Sequence, residues 1–374
     1  MRFVRLLALA ITASLVACSS DKVAVEPAKL VSFKPAAKVD VRWKQSVGEA
    51  GFSVLTPAVT REGVFAADSK YVYRFDRDNG KKAWRIEPGF TITGGVGAGD
   101  GLVLVGGDKG EVAAFEDETG NLRWKTKASS EVLSAPKIAD GIVVVRTGNG
   151  RIAGLDAQDG KRIWLYERST PTLIVRNHAG IVIRNGMVYA GFAAGKVAAI
   201  GLTKGVVIWE SAVSQPKGNT ELERISDITS QPAVDDTQVC AVAFQGRVAC
   251  FDAVQGGTLW SRDFSSDKGL SLFGSNLYIT DSDSNVLAAD RTTGSSLWKN
   301  DQMSFRAATA AFPLDDFLLV GDYEGYIHVL KREDGSFVAR QKTDGSPILT
   351  PPITLGDGAL IQTSDGELYS IAIK

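Results

Sequence analysis

The sequence predicts an all-β chain folded as one eight-bladed β-propeller of four-stranded antiparallel blades. Three observations lead there. A cassette ending in tryptophan, Ala289-Asp290-Arg291-Thr292-Thr293-Gly294-Ser295-Ser296-Leu297-Trp298, recurs along the chain. All 7 Trp of the 374 residues belong to that series: Trp43, Trp84, Trp124, Trp164, Trp209, Trp260 and Trp298. The steps between them are 41, 40, 40, 45, 51 and 38 residues, and a further 41 reach Ala339, the Trp position of a degenerate copy that runs Lys331, Gly335, Ala339. A fixed period near 40 residues is the length of a four-stranded propeller blade.

Each cassette reads as a strand end, a tight turn and the start of the next strand. The acidic residue hydrogen-bonds the turn backbone just downstream of itself, and glycine supplies the positive φ that the turn requires. Asp76, Gly80 and Trp84 form one copy, and Glu116, Gly120 and Trp124 another. Asp156, Gly160 and Trp164 follow, then Gly201, Gly205 and Trp209, then Asp252, Gly256 and Trp260. Between cassettes, β-branched and apolar runs alternate with glycine-bearing turns such as Asp108-Lys109-Gly110 and Gly148-Asn149-Gly150, and no segment carries the period of a long amphipathic helix. Gly94 to Gly101 is glycine-rich but has neither dinucleotide nor Walker spacing, and reads as a strand entry and turn at the rim of a blade.

The two chain ends complete one blade. Val39 to Val47 alternates and carries Trp43 without a preceding turn, while Ile353 to Thr363 and Glu367 to Ile373 are strand-like with no Trp strand after them. Pairing the N-terminal strand with the C-terminal blade closes the ring and removes both free edges. Seven windows lie between Trp43 and Ala339; the closing window is the eighth. This places the propeller at residues 39–374.

Ahead of it, Arg2 and Arg5 precede the apolar run Leu6 to Val16, which is too short to span a bilayer. Residues 1–17 read as a signal peptide. It ends in Leu15-Val16-Ala17-Cys18, which resembles the bacterial lipobox; that resemblance implies lipidation at Cys18 and, with Ser19 rather than Asp following, an anchor in the outer membrane facing the periplasm. Residues 18–38 hold charges, two Pro and no sustained period, and read as the lipidated cysteine followed by a flexible tether.

Composition narrows the function. A net charge of −1 argues against a nucleic-acid partner. The two His, His178 and His328, lack metal-ligand spacing, and neither a nucleophile elbow nor a carboxylate pair stands out, so no catalytic residue, metal site or cofactor is assigned. Cys240 and Cys250 flank a hairpin turn at Gln245-Gly246; a cross-strand disulfide and two small buried side chains both fit that spacing. Two windows are long. Trp164 to Trp209 contains Thr170 to His178, and Trp209 to Trp260 contains the polar stretch Ser214 to Gln231. Insertions in repeat proteins map to loops on one face, often the binding face, and these two belong to neighbouring blades.

The Ala-Asp-x-x-Thr-Gly-x-x-x-Trp cassette resembles the tryptophan-docking motif of quinoprotein dehydrogenase-like propellers. With the lipobox, the length, Gly321-Asp322-Tyr323-Glu324-Gly325-Tyr326 and the terminal Asp365-Gly366-Glu367-Leu368-Tyr369-Ser370-Ile371, the chain more narrowly resembles the propeller lipoprotein family of the outer-membrane β-barrel assembly (BAM) machinery. That resemblance implies a non-catalytic scaffold that binds the periplasmic POTRA domains of the central barrel subunit, BamA. It also implies indirect contact with the other lipoprotein subunits, and an assisting role toward unfolded outer-membrane proteins. The family's Leu-x-Leu-Arg pattern stands here as Leu173-Ile174-Val175-Arg176, and its Ser-Asp-x-Asp as Ser226-Asp227-Ile228-Thr229. The resemblance therefore implies Leu173, Val175, Arg176 and Asp227 as partner contacts, with Thr229 standing where the second acid is missing; a local Arg176–Asp227 ion pair is the competing role for those two side chains. Two other functional readings share the fold: a quinone-dependent dehydrogenase, and a peptide-binding envelope propeller with another partner.

Overall fold

The computed structural model describes residues 26–51 and 53–374. They form eight four-stranded antiparallel sheets, with one 3-10 turn at Ala193–Gly195 as the helical content among the described residues. Numbering blades along the chain, blade 1 is Ala58–Val59, Val64–Ala67, Val72–Phe75 and Lys82–Ile86, and the pattern repeats through blade 7, whose last strand is Phe337–Lys342. In blades 1 to 7 the strands pair in chain order, so each blade is a meander whose first strand lines the axis and whose last lies at the rim. Blade 8 differs as the sequence predicts. Ile353–Leu355, Gly358–Gln362 and Glu367–Ile373 take Val39–Ser46 as their fourth strand, with Val39 opposite Ile373 and Trp43 opposite Ser370. The C-terminal apolar stretch is thus two strands and a turn before Glu367.

The cassettes act between blades. In the turn after Asp290, that carboxylate accepts from the amides of Thr292 and Thr293 at 3.0 and 2.8 Å, and Gly294, at φ +69°, donates to the Asp290 carbonyl at 2.8 Å. Each tryptophan then docks on the next blade. The seven indole N–H groups donate to the carbonyls of Arg77, Asp117, Ala157, Leu202, Ala253, Arg291 and Arg332, at 2.7 to 3.1 Å. The turn glycine of that next blade lies against the same ring: a Cβ on Gly80, Gly120, Gly160, Gly205, Gly256, Gly294 or Gly335 would stand 3.2 Å or less from an indole carbon. Glycine is required there both for its φ and for its missing side chain. A β-bulge directly before the tryptophan, or before Ala339 in blade 7, recurs in all eight blades, as at Arg74/Phe75 and Val41/Trp43. The core is correspondingly a ring of apolar clusters, most of which join the facing sides of neighbouring blades.

Two sequence expectations meet the structure here. The segment read as a flexible tether is docked from residue 26 onward; residues 18–25, with Cys18, and the signal peptide lie outside the described residues. Ala28 donates its amide to the Ser304 carbonyl, Ala36 and Ala37 donate to Val338, and the Phe33 ring stacks on Phe337 at 5.6 Å. Arg306 and Arg340 donate to the carbonyls of Ala28 and Val31. The segment covers the outer edge of blade 7, where Ala339 provides no indole. Cys240 and Cys250, directly opposite one another in blade 5 with Cα atoms 4.1 Å apart, are joined as a disulfide.

Candidate partner-binding site

The two long windows become the connections from blade 3 to blade 4, residues 167–180, and from blade 4 to blade 5, residues 213–232. Both run from a rim strand to an axial strand. They therefore lie on the face that also bears the second hairpin of each blade, including the Ala193–Gly195 turn of blade 4.

Asp227 holds this region together from below. Its side chain is 2% exposed, and its two carboxylate oxygens accept from the amides of Val175 at 2.8 Å and Ala194 at 3.0 Å. Its own carbonyl accepts from the Phe244 amide at 2.9 Å. One residue thus fixes the 167–180 connection, the blade 4 hairpin and the blade 5 hairpin. The next residue, fully buried Ile228, donates its amide to Phe192 and wedges beside Gly191, where a larger residue would collide with it.

Arg176 does not pair with Asp227. Its guanidinium forks onto Glu131, in the connection from blade 2 to blade 3, with Nε–Oε1 at 3.2 Å and Nη2–Oε2 at 2.8 Å. The hydrogen bond from Arg176 holds the Glu131 carboxyl below the ordinary range, and the same bond raises the guanidinium. The Arg176 side chain remains 64% exposed, so one edge is steered by Glu131 while the rest faces solvent. Around it, Asn177 donates to the Val175 carbonyl and accepts from the Ala179 amide, His178 Nδ1 lies 3.0 Å from the Leu133 carbonyl, and buried Arg146 donates to the Ala179 carbonyl at 3.1 Å. Burial alone lowers the Arg146 pKa to about 10.

The outcome separates the four candidate residues. Leu173, 41% exposed, and Arg176 are presented outward; Val175 is half-buried and serves chiefly through its amide; Asp227 is a buried support with no face for a partner. Thr229 turns toward the axis of the ring, and its hydroxyl has no partner among the described residues. Sequence reasoning missed two residues on this face. Nothing near Glu131 in the chain signals its role, because its partner lies 45 residues away. Leu222, 67% exposed, sits in a turn where the Thr220 amide donates to the Glu223 carboxylate and the Glu223 amide donates to Thr220 Oγ1, a T-x-x-E signal that was legible.

A family profile described as "Outer membrane protein assembly factor BamB" matches residues 68–300. The protein of that name from Pseudomonas aeruginosa is 42% identical over 371 residues, covering 98% of each chain. That from Burkholderia pseudomallei is 37% identical over 356 residues, covering 94% of this chain and 93% of its own. Among solved structures, BamB from Moraxella catarrhalis superposes with a TM-score of 0.83 at 26% identity, over 90% of this chain and all of that one. A quinohemoprotein alcohol dehydrogenase from Comamonas testosteroni shares the fold, with a TM-score of 0.72 at 13% identity over 89% of this chain and 76% of its own.

Proposed function

Because the chain belongs to the BamB family of outer membrane protein assembly factors, we propose that it is a non-catalytic scaffold of the outer-membrane assembly machinery whose Leu173–Arg176 loop binds the periplasmic POTRA domains of BamA. The observation that carries this reading is the construction of the loop. Asp227 grips its backbone from beneath and Glu131 aligns its guanidinium from the side, so Leu173 and Arg176 are exposed without being loose. An apolar side chain beside a preoriented guanidinium suits the centre of an interface: arginine offers bidentate bonds to a carboxylate, and the neighbouring apolar contact excludes water. Lipidation at Cys18 would hold the ring at the inner surface of the outer membrane, facing the periplasm. Site-specific photo-crosslinking in cells tests the proposal. A photoreactive residue at position 173 is expected to capture BamA through its POTRA domains, and one at the opposite-face position 254 is not; equal capture from both, or none from 173, would reject the loop as the binding site.

A further inference from the structure

The first strands of the eight blades surround an axial channel. On the loop-bearing face it widens into a cavity of about 630 Å³. A second chamber of about 410 Å³ continues from it, with Ser230, Gln231, Lys268 and Ala310 lining both. Much of the wider cavity is apolar, with Val54, Phe244, Leu349 and the Ala307–Ala310 stretch contributed by different blades. Its ionisable residues are Lys137, Arg176, His178, Asp267 and Lys268. Arg176 is answered by Glu131, Lys268 by Asp267 at 3.0 Å, and His178 holds the Leu133 carbonyl.

Lys137 is the exception. It lies on the axial strand Lys137–Ala139 of blade 3, and among the described residues it has neither an ion pair nor a side-chain hydrogen bond. Part of its side chain is open to the channel, and burial of the rest holds its pKa below the ordinary lysine value. Thr229 and Ser230 also line the cavity, but their hydroxyl oxygens are buried within the protein. A cation without a partner in a largely apolar cavity is best completed by a group of opposite charge. The volume lies within the range of cavities that hold small ligands or a few residues of a chain.

We propose that the axial channel binds an extended peptide segment carrying a carboxylate next to apolar side chains. The carboxylate pairs with the Lys137 ammonium, and the apolar neighbours lie against Val54, Phe244 and Leu349. The inference does not rest on the outer loop, although the two are continuous: Val175 and Arg176 belong to both.

The test uses the intact protein and two fluorescent, end-blocked pentapeptides, Phe-Glu-Val-Glu-Phe and Phe-Gln-Val-Gln-Phe, titrated by fluorescence anisotropy. The glutamate peptide should saturate the protein, and the glutamine peptide should bind about tenfold weaker or less, the loss of one charge-assisted contact. Lys137→Met should weaken the glutamate peptide by the same factor and leave the glutamine peptide unchanged; Lys137→Arg should keep the discrimination. Should Lys137→Met fail to fold, wild type and Lys137→Arg still decide. Leu173→Asp, outside the cavity lining, should lose POTRA capture but bind peptide normally, and Lys137→Met should do the reverse, so the two proposals fail separately. Equal affinity of wild type for the two peptides, or no saturable binding of either at about millimolar concentration, overturns the channel proposal.

Discussion

A carboxylate two per cent exposed is an unusual place for a partner contact, and Asp227 is better understood as the residue that shapes the loop. Its oxygens satisfy two amides, at Val175 and Ala194, that have little other recourse. Asp227→Ala leaves both unpaired in a part-buried site, where an orphaned group costs up to about 1–3 kcal/mol. The variant should therefore show faster hydrogen exchange at the Val175 and Ala194 amides, together with weaker POTRA binding, whereas Thr229→Ala should leave both unchanged. Unaltered exchange at those two amides in Asp227→Ala would contradict the supporting role. A second buried group sets a pH dependence. His328 is fully buried, with Nε2 2.9 Å from Asp322 and Nδ1 accepting from Arg340 Nε at 3.2 Å, so it is the neutral Nε2–H tautomer. Burial lowers its pKa against the opposing pull of Asp322, and the nearby Arg340 and Arg306 lower it further. The unfolded chain takes up this proton near pH 6.5 and the folded chain only at lower pH, so the unfolded state binds more protons between those values. His328 thus contributes stability that is complete above about pH 6.5 and is lost as pH falls below it. Urea titrations from pH 7.5 to 5 should show that decline in wild type and a flatter profile in His328→Gln.

At the scale of the element, the unit is a rim strand docked on the next blade's turn. Gly256 lies under the Trp209 ring at φ +70°, and a methyl group there would strike the indole; its neighbour Gly257 has open space around its Cα. Gly256→Ala should destabilise by about 2 kcal/mol or more in equilibrium denaturation, through strain and lost docking, and Gly257→Ala by well under 1 kcal/mol. Equal effects would refute the docking argument. The docking series was legible because it is local: aspartate, glycine and tryptophan recur within ten residues, and their spacing alone counts the blades. The recurring bulge before each tryptophan was not, since it leaves no residue signature; Ala83, Arg123 and Arg42 occupy equivalent places. The docked segment 26–38 was misread for a related reason. Val31 and Phe33 carry no period, and the groups that hold them, Arg340 and Phe337, lie more than 300 residues away in the chain. The same holds for the candidate binding face: the motifs led to Arg176 and Asp227, but only the folded chain separates the exposed guanidinium from the buried carboxylate. Phe33→Ala should lower stability measurably, because it removes an aromatic stack and the ring beneath Arg340; a melting temperature unchanged within about a degree would restore the view of a free tether.

The whole molecule is a closed ring whose stability depends on joining its ends. Val39–Ser46 supplies the rim strand of blade 8 and the first indole of the docking series, so its loss would expose an edge at Glu367–Ile373 and leave Gly80 without its ring. Deleting residues 39–47 should sharply lower the unfolding midpoint. Closure also makes the candidate site possible: the loop that carries Arg176 is braced by side chains and turns from blades 2 to 5, which an open chain would not hold in place. The measurement that bears most directly on this account is the dissociation constant of the folded protein for the BamA POTRA domains, compared between wild type and Arg176→Glu, with circular dichroism to verify the fold. Truncating an anchoring arginine typically costs about 2 kcal/mol, roughly 30-fold in affinity, and charge reversal more. The account predicts that folded Arg176→Glu binds at least about 30-fold more weakly than wild type; wild-type affinity in that variant would contradict it.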